Sequence, residues 1–361
     1  MFWNKKTTWD LGAALLASII LLAVGASIGR ADFTFGVPVS LGPTINNGGE
    51  SYAPCMSADG LELYWHRGEV GDMWVARRTT PDSEWGPPSL LDATVNSPNY
   101  DGGPCLSADG LQLYFFSNRP GTFGSQDLWV TTRATAGEKW GTPVNLGATV
   151  NSAGRDFTPS ITADGLELYF SSERPGYGSW DLWVTSRATV DGNWGTPVNL
   201  GPVINTSANE NWCGISPDGL LLVFSSDRPG GVGSWDIYVT QRATTNAPWG
   251  PPQNLGPMVN SNTHEVGGKI SFNGSMLYFH SWRPGGFSGC DLWQTPITPT
   301  VDFNEDKKVD LVDLVMLIDN WGTDDTVCDI GPMPWGDGKV DIEDLKVFMT
   351  YYEKENPPVK P

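Results

Sequence analysis

Charged residues, basic residues and histidines are all scarce in this sequence. Charged residues make up 17% of the 361 positions, and 22 Lys and Arg face 41 Asp and Glu, which gives a formal net charge of −19. A nucleic-acid partner needs clusters of Lys and Arg against its phosphates, so this balance argues against one. Only three histidines are present, and no nucleophile–base motif of a known hydrolase class is visible.

Cysteine is also rare, and its number is odd. Of the five cysteines, Cys55 and Cys105 lie in two similar stretches of sequence, whereas Cys290 and Cys328 stand apart. This spacing does not form a disulfide framework. We expect the cysteines to be small, buried apolar residues.

A long hydrophobic run occurs only at the N-terminus. Lys5 and Lys6 precede an apolar stretch from Leu11 to Gly29, and small residues then offer a cleavage site before Asp32. This pattern predicts a signal peptide over residues 1–31, with an uncleaved membrane anchor as the alternative. No cysteine follows the run closely, so we expect no lipid anchor. Either way, the rest of the chain is expected to be exported, to the periplasm, the cell surface or the medium.

Glycine (43) and proline (28) are abundant, and they punctuate an internal repeat. A turn of the form Asp-Gly, or Asn-Gly in the last copy, returns every 50 to 55 residues, at positions 59, 109, 164, 218 and 273. The third copy predicts four strands: one that runs into the Asp-Gly turn, Leu166–Ser171, Asp181–Ser186, and a fourth along Trp194 to Leu200. A repeat of this length with four strands is typical of a β-propeller blade.

The ends of the repeat region predict how the ring closes. The fifth copy stops after Asp291–Thr295 and lacks the Trp-Gly strand that follows in the other copies. A spare strand of the same kind lies near the N-terminus, from Phe35 to Leu41. We therefore predict an all-β, five-bladed β-propeller over residues 32–299, in which the N-terminal segment is the outer strand of the last blade.

The repeat strings resemble those of TolB-type propellers. The resemblance rests on Ser216-Pro-Asp-Gly, Phe224-Ser-Ser-Asp-Arg-Pro-Gly and Asp236-Ile-Tyr-Val, and it extends over roughly residues 33–297. It implies the propeller fold. It says little about function, because such repeats occur in proteins of many roles.

The region after the propeller, residues 300–361, carries two acidic loops. In the first, side-chain oxygens fall at loop positions 1, 3, 5, 9 and 12, the spacing with which a loop wraps around Ca²⁺. The expected ligands are Asp302, Asn304, Asp306, Asp310 and Asp313, with the backbone carbonyl of Lys308. The loop resembles the first half of a type I dockerin. It departs from the pattern at Lys307, where glycine is preferred for a left-handed turn.

The second loop is longer at its front. Its expected ligands are Asp329, Asp337, Asp341 and Asp344, with the carbonyl of Lys339. We predict a small α-helical, dockerin-like domain that needs Ca²⁺ to fold. The resemblance implies a cohesin-like or cell-surface protein as its partner.

Residues that recur in every blade are expected to be architectural. Two sets of tryptophans keep a constant phase and are expected to pack in the core: Trp74, Trp129, Trp183 and Trp293, and Trp85, Trp140, Trp194 and Trp249.

A set of carboxylates recurs at the start of the first strand: Asp101, Asp156, Glu210 and Glu265. We expect them to ring the mouth of the central channel, where mutual repulsion raises their pKa values unless a cation or arginine compensates. The alternative is ion pairing with arginines of the neighbouring blades.

Off-pattern residues are the better candidates for binding. The histidines, His66, His264 and His280, all lie in blades one and five, which adjoin when the ring closes. A shared ligand, metal or proton-transfer site is one interpretation, and chance clustering is the other. Four further tryptophans lie outside the two recurrent sets and are called off-phase: Trp180, Trp212, Trp235 and Trp282. They are suited to stack on sugar rings or, alternatively, to pack within loops.

The favoured function is an exported, non-catalytic module that recognises a glycan or a protein through the propeller and is tethered by its calcium-dependent tail. The alternative is a dockerin-bearing glycoside hydrolase, in which two of the repeated carboxylates act as acid and base. Their repetition from blade to blade counts against it. A periplasmic interaction hub similar to TolB is the third interpretation.

Overall fold

A computed structural model describes residues 33–68, 71–325, 327–331 and 339–357. The predicted signal segment, residues 1–31, lies outside these ranges. Within the described ranges, no helix has the length and hydrophobicity that crossing a bilayer requires.

The propeller consists of five antiparallel sheets, each of which is one blade. The N-terminal segment forms β1 (Phe33–Phe35), β2 (Val39–Ser40) and the short helix α1 (Pro43–Asn46). Blade one contains β3 (Ser51–Met56), β4 (Glu62–Arg67), β5 (Asp72–Arg77) and β6 (Ser89–Leu90). Blade two contains β7 (Asp101–Leu106), β8 (Gln112–Ser117), β9 (Asp127–Thr132) and β10 (Val144–Asn145).

The remaining blades repeat the order. Blade three contains β11 (Asp156–Ile161), β12 (Glu167–Ser172), β13 (Asp181–Ser186) and β14 (Val198–Asn199). Blade four contains β15 (Glu210–Ile215), β16 (Leu221–Ser226), β17 (Asp236–Gln241) and β18 (Gln253–Asn254), followed by the short helix α2 (Gly256–Val259). Blade five contains β19 (Glu265–Ile270), β20 (Met276–Ser281) and β21 (Asp291–Pro299).

The predicted closure of the ring is confirmed. Val39 and Ser40 of β2 lie opposite Gln294 and Trp293 of β21, and β1 extends the pairing along the end of the same strand. The Thr295 hydroxyl also donates to the Gly36 carbonyl at 2.6 Å. Both termini of the propeller therefore share one sheet, which removes the open edge that a five-copy array would otherwise leave.

The strands of blade three show how closely the observed strand bounds match the predicted ones. The third strand has the predicted bounds, whereas the second begins and ends one residue later than predicted. The fourth strand contains only Val198 and Asn199, because Pro197 precedes them and has no N–H to donate to the ladder. Turn chemistry is local too, since the Asp164 carboxylate accepts from the Leu166 N–H and the Thr162 hydroxyl, and Gly165 has a φ of 70°.

The expectation that the repeated tryptophans are architectural is confirmed at the blade contacts. The Arg133 guanidinium lies over the Trp140 ring, 4.4 Å from its centroid, and also pairs with Glu62 of the preceding blade at 2.9 Å. Equivalent arginine–tryptophan stacks occur at Trp85, Trp194 and Trp249. Each stack joins an outer tryptophan to the body of the blade.

The C-terminal region forms two helices, α3 (Leu311–Asp319) and α4 (Ile342–Glu355), around a small core of its own. Phe348, Leu317 and Val340 are fully buried in that core. Both helices begin with the same device, an aspartate N-cap paired with an aspartate three residues later: Asp310 with Asp313, and Asp341 with Asp344. The two helices thus share one capping arrangement.

Candidate functional site

The repeated carboxylates are not on the channel surface, and our expectation that they ring its mouth is corrected. Each is completely buried and forms an ion pair with an arginine of its own blade, not of the neighbouring blade. The pairs are Asp101–Arg119, Asp156–Arg174, Glu210–Arg228 and Glu265–Arg283, with N–O distances of 2.5 to 3.2 Å.

Glu210 shows why these carboxylates are structural. It accepts hydrogen bonds from the Thr206 N–H and hydroxyl, at 2.7 and 2.8 Å, and from the Ser226 hydroxyl at 2.9 Å. Arg228 in turn donates to the Ile204 carbonyl at 2.8 Å. The carboxylate therefore ties the loop that enters the blade to strands one and two, and its oxygens are already engaged by protein donors.

An aromatic pocket of about 230 Å³ lies at one mouth of the central channel. It is lined by Tyr52, His66, Tyr100, Trp212, Trp235, His264, Val266, His280 and Trp282. All three histidines and three of the four off-phase tryptophans therefore converge, although they come from blades one, four and five. None of these lining residues carries a carboxylate. We call this site the channel-mouth pocket.

Trp212 occupies the centre of the channel-mouth pocket because of an irregularity in its strand. The first strand of every blade contains a bulge, and its third residue has positive φ. In blade four this residue is Trp212, with a φ of 54°. Because Ala53, Gly103, Thr158 and Gly267 share this conformation in the other blades, the bulge is architectural, and the tryptophan on it is what distinguishes blade four. The bulge turns the indole towards the channel, where it is parallel to His66 at a centroid distance of 6.3 Å and edge-on to His280 at 5.0 Å.

His66 and His280 have a second role in supporting these bulges. The Gly103 N–H donates to Nδ1 of His66 at 3.2 Å, and the Ala53 N–H donates to Nδ1 of His280 at 3.3 Å. In blades three and four, serine hydroxyls accept the equivalent bonds. Because Nδ1 accepts, each imidazole must carry its proton on Nε2. Nε2 of His66 then lies 2.9 Å from the Tyr100 hydroxyl.

These bonds and the burial keep both imidazoles neutral. Burial lowers the pKa of His66 to about 3, and burial, together with the repulsion between the two rings when both are protonated, lowers the pKa of His280 well below its usual value. The Nδ1 atoms are already engaged, so the histidines cannot share a metal through them. Among the described residues, no group of three or more His, Cys, Asp or Glu side chains is placed to hold a metal ion. The pocket thus offers neutral hydrogen-bonding groups between aromatic faces.

Acidification is expected to destabilise the propeller through these two histidines. The unfolded chain takes up a proton near pH 6.5, whereas native His66 does so only near pH 3. For His66, stability is therefore lost as the pH falls below about 6.5, by about 1.4 kcal/mol per pH unit. Urea unfolding at pH 7 and pH 5 measures the loss, about 2 kcal/mol for His66 over this interval, and His280 adds to it in the same direction. In a His66→Ser variant, which copies blades three and four, the loss is expected to be about 2 kcal/mol smaller, and an unchanged loss would contradict the prediction.

The sequence patterns missed three residues that line the channel-mouth pocket and predicted one residue, Trp180, that does not line it. Instead, Trp180 packs on Phe157 at 4.2 Å and under the Arg155 guanidinium at 4.5 Å, so its alternative interpretation of loop packing applies. Tyr52, Tyr100 and Val266 are lining residues that were not singled out. A signal existed for Tyr100, since it occupies the same repeat position as His264.

The first acidic loop of the C-terminal region has the turn that a cation loop needs. Glu305 and Lys307 both have positive φ, so Lys307 adopts the left-handed conformation for which glycine is the usual residue. As a result, the loop folds back and the Asp302 carboxylate accepts from the N–H groups of Asp306 and Lys307, at 3.1 and 2.7 Å. In the described chain, no Lys or Arg side chain pairs with the acidic residues of this loop. The described acidic side chains of this loop do not form a group of three or more that is placed to hold a metal ion, so calcium binding here stays a prediction from the sequence.

The last aspartate of each loop ties that loop to its helix. Asp313 is buried and accepts from the N–H groups of Phe303 and Asp310, at 2.8 and 2.9 Å. Asp344 is equally buried and accepts from Ile330 and Asp341, each at 2.6 Å. Burial raises the pKa of Asp344. The expected ligand Asp329 is buried, and the expected ligand Asp337 lies outside the described residues.

Comparisons with known proteins support the propeller fold. No protein-family model matches the sequence, and no curated protein matches it. The catalytic domain of the GH62 α-L-arabinofuranosidase of Coprinopsis cinerea is similar in structure, with 12% identity and a TM-score of 0.51 over 75% of this chain and 98% of that one. A thermostable family-43 glycoside hydrolase has 13% identity and a TM-score of 0.50 over 71% and 92% of the two chains.

A protein described as TolB from Agrobacterium tumefaciens was also found, with 14% identity and a TM-score of 0.44 over 72% of this chain and 80% of that one. At these low identities, the two structural matches with TM-scores of 0.50 and 0.51 show a shared fold and no activity.

Proposed function

We propose that this protein is a non-catalytic recognition module whose propeller binds a glycan in the channel-mouth pocket. The observation that carries the proposal is the convergence of three half-exposed tryptophans, two tyrosines and three histidines around one cavity of about 230 Å³. A cavity of that size is suited to a sugar unit at the end of a chain. The ring faces suit the apolar C–H faces of a sugar.

The channel-mouth pocket also contains hydrogen-bond donors for the hydroxyl groups of a sugar. The described residues provide no acceptor for the indole N–H groups of Trp212, Trp235 and Trp282, and the Nε2–H of His280 likewise has none. These groups are donors that a sugar hydroxyl can satisfy. Because His66 and His280 stay neutral, the site favours an uncharged ligand over an anion.

A glycosidase needs two carboxylates that flank the scissile bond. The four repeated carboxylates are buried in arginine pairs, and Glu50, which accepts from the Tyr52 hydroxyl, is not among the residues that line the pocket. The likeness to α-L-arabinofuranosidase and family-43 structures concerns the fold. We therefore favour binding without turnover.

Replacing Trp212 by glycine tests the glycan proposal. Gly103 and Gly267 occupy the same bulge position in blades two and five, so the backbone tolerates this change. The full chain is screened on a glycan array, and affinities for the retained glycans are then measured by calorimetry. We expect Trp212→Gly and Trp282→Ser to weaken binding at least about 10-fold, which corresponds to 1.4 kcal/mol.

The matched control is Trp180→Ala, which removes an off-phase tryptophan outside the channel-mouth pocket and is expected to leave affinity unchanged. Equal losses in all three variants would count against the pocket. Release of reducing sugar that disappears in an Asp156→Asn variant, with its fold intact, would favour the hydrolase instead.

For the tail, we propose a calcium-dependent, dockerin-like docking module on an exported protein. Its exposed apolar residues support the proposal: Leu311, Val315 and Ile318 lie on one face of α3 and are each more than half exposed, and Ile342 begins α4 in the equivalent position of Leu311. Exposed apolar faces of this kind mark protein interfaces. The partner we propose is a cohesin-like or cell-surface domain.

A further inference from the structure

The opposite end of the central channel carries a pair of thiols. The fifth residue of the first strand faces the channel in each blade, and it is Cys55, Cys105, Ser160, Gly214 or Lys269. Cys55, Cys105, Ser160 and Lys269 line a cavity of about 60 Å³ at this end. Cys55 and Cys105 are only 6% and 5% exposed, so a reagent must reach them through that cavity. We call this site the channel-floor thiol pair.

The two thiols are close enough to interact across the boundary between blades one and two. The Leu106 N–H donates to Cys55 Sγ at 3.3 Å, which places that sulfur beside the backbone of Cys105. The Cys55 and Cys105 side chains interact by a hydrogen bond, which is the main cause that lowers the pKa of Cys105 to about 6. The same bond and burial raise the pKa of Cys55 well above its usual value.

Lys269 supplies positive charge to the same site. Its ammonium group donates to the Pro159 and Cys213 carbonyls, at 3.1 and 2.7 Å, and the described chain gives it no carboxylate partner. The charge of Lys269 and bonds from the Ile161 N–H and the Ser160 side chain further lower the pKa of Cys105. Burial instead raises the pKa of Cys213 and of Cys328 to about 12. Among the cysteines, Cys105 alone thus has thiolate character and a neighbouring thiol.

We propose that the channel-floor thiol pair is a thiol–disulfide exchange site, in which Cys105 is the nucleophile, Cys55 is the resolving thiol and the substrate is a small organic disulfide. The Cys105 thiolate attacks one sulfur of the disulfide and releases the other as a thiolate, which leaves a mixed disulfide on Cys105. Cys55 gives its proton to the released thiolate and attacks Cys105 Sγ. This forms the Cys55–Cys105 bond and releases the second thiolate. The cysteine pair loses two electrons and the small disulfide gains two.

The test uses the full chain and bis(2-hydroxyethyl) disulfide, a small uncharged probe, at pH 7. After acid quenching, mass spectrometry of non-reduced peptides is expected to show Cys55 joined to Cys105 in the wild type. Cys55→Ser should instead accumulate the mixed disulfide on Cys105, because no resolving thiol remains. Cys105→Ser should slow modification of the pair at least about 10-fold. Serine is compatible with this strand position, since Ser160 occupies it in blade three.

Two further variants separate this site from general thiol reactivity. Cys213→Ser is expected to react as the wild type does, and Lys269→Met is expected to react more slowly while retaining its circular dichroism spectrum. Equal reaction rates at Cys105 and Cys328, or a Cys55→Ser protein that gains no adduct on Cys105, would overturn the proposal.

Discussion

Replacing Arg228 by methionine is expected to lower the free energy of unfolding of the propeller by about 3 to 5 kcal/mol. The change removes the cation from Glu210, which is completely buried and lies 3.0 Å from the guanidinium. A buried carboxylate without its partner destabilises the fold far more than removal of both charged groups does, because nothing offsets the hydration that the carboxylate has lost. Thermal unfolding followed by circular dichroism should show a decrease in Tm of roughly 6 to 20 °C.

The double variant Glu210→Ser, Arg228→Met is the control for this prediction. Blade one shows that a serine is acceptable at this position, since Ser51 occupies it. With no buried charge left, the double variant should recover part of the lost stability. A single variant as stable as the wild type would mean that Glu210 does not need its ion pair.

Removal of calcium is expected to unfold α3 and α4 while the propeller stays folded. Asp302, Asp306 and Asp310 carry like charges within one short loop, where only Lys307 and Lys308 are basic. A bound cation removes this repulsion, and its binding free energy then becomes folding free energy for so small a core. Circular dichroism at 222 nm, recorded with Ca²⁺ and after addition of a chelator, measures the helices directly.

Asp302→Ala is the matched variant, because Asp302 is a predicted ligand in the loop and is not part of the buried helix caps. It is expected to weaken calcium affinity by more than 10-fold in a calorimetric titration. If the chelator left both the helical signal and the melting of the tail unchanged, the calcium prediction would be wrong. Melting of the propeller provides the internal reference in the same experiment.

The fold was predictable because its information is local and repeated. An Asp-Gly turn, an alternating strand and a Trp-Gly segment each follow from a few neighbouring residues, so five copies predict five blades. Closure was predictable by counting, since one outer strand was missing at the end and one was spare at the beginning. Strand lengths were less accurate wherever proline removed a ladder bond, as at Pro197.

The candidate site was only partly predictable, and the bulges are the physical reason. A bulge in the first strand interrupts the alternation of faces, so residues before it and after it cannot be assigned to the channel or the interior from their spacing. Asp156 and Glu210 lie before the bulge and turn into the blade, where arginines of the same blade meet them. Trp212 lies on the bulge and turns into the channel. Trp180, equally off pattern but in a loop, does not reach the pocket.

Composition and repetition alone were enough to derive the ring, its closure and the acidic loops, because each depends on the order of residues along the chain. Which side chains meet in the channel depends on contacts between blades one, four and five, and on a backbone conformation that tryptophan seldom adopts. The channel-mouth pocket and the channel-floor thiol pair therefore became visible only when the strands were arranged around a common axis.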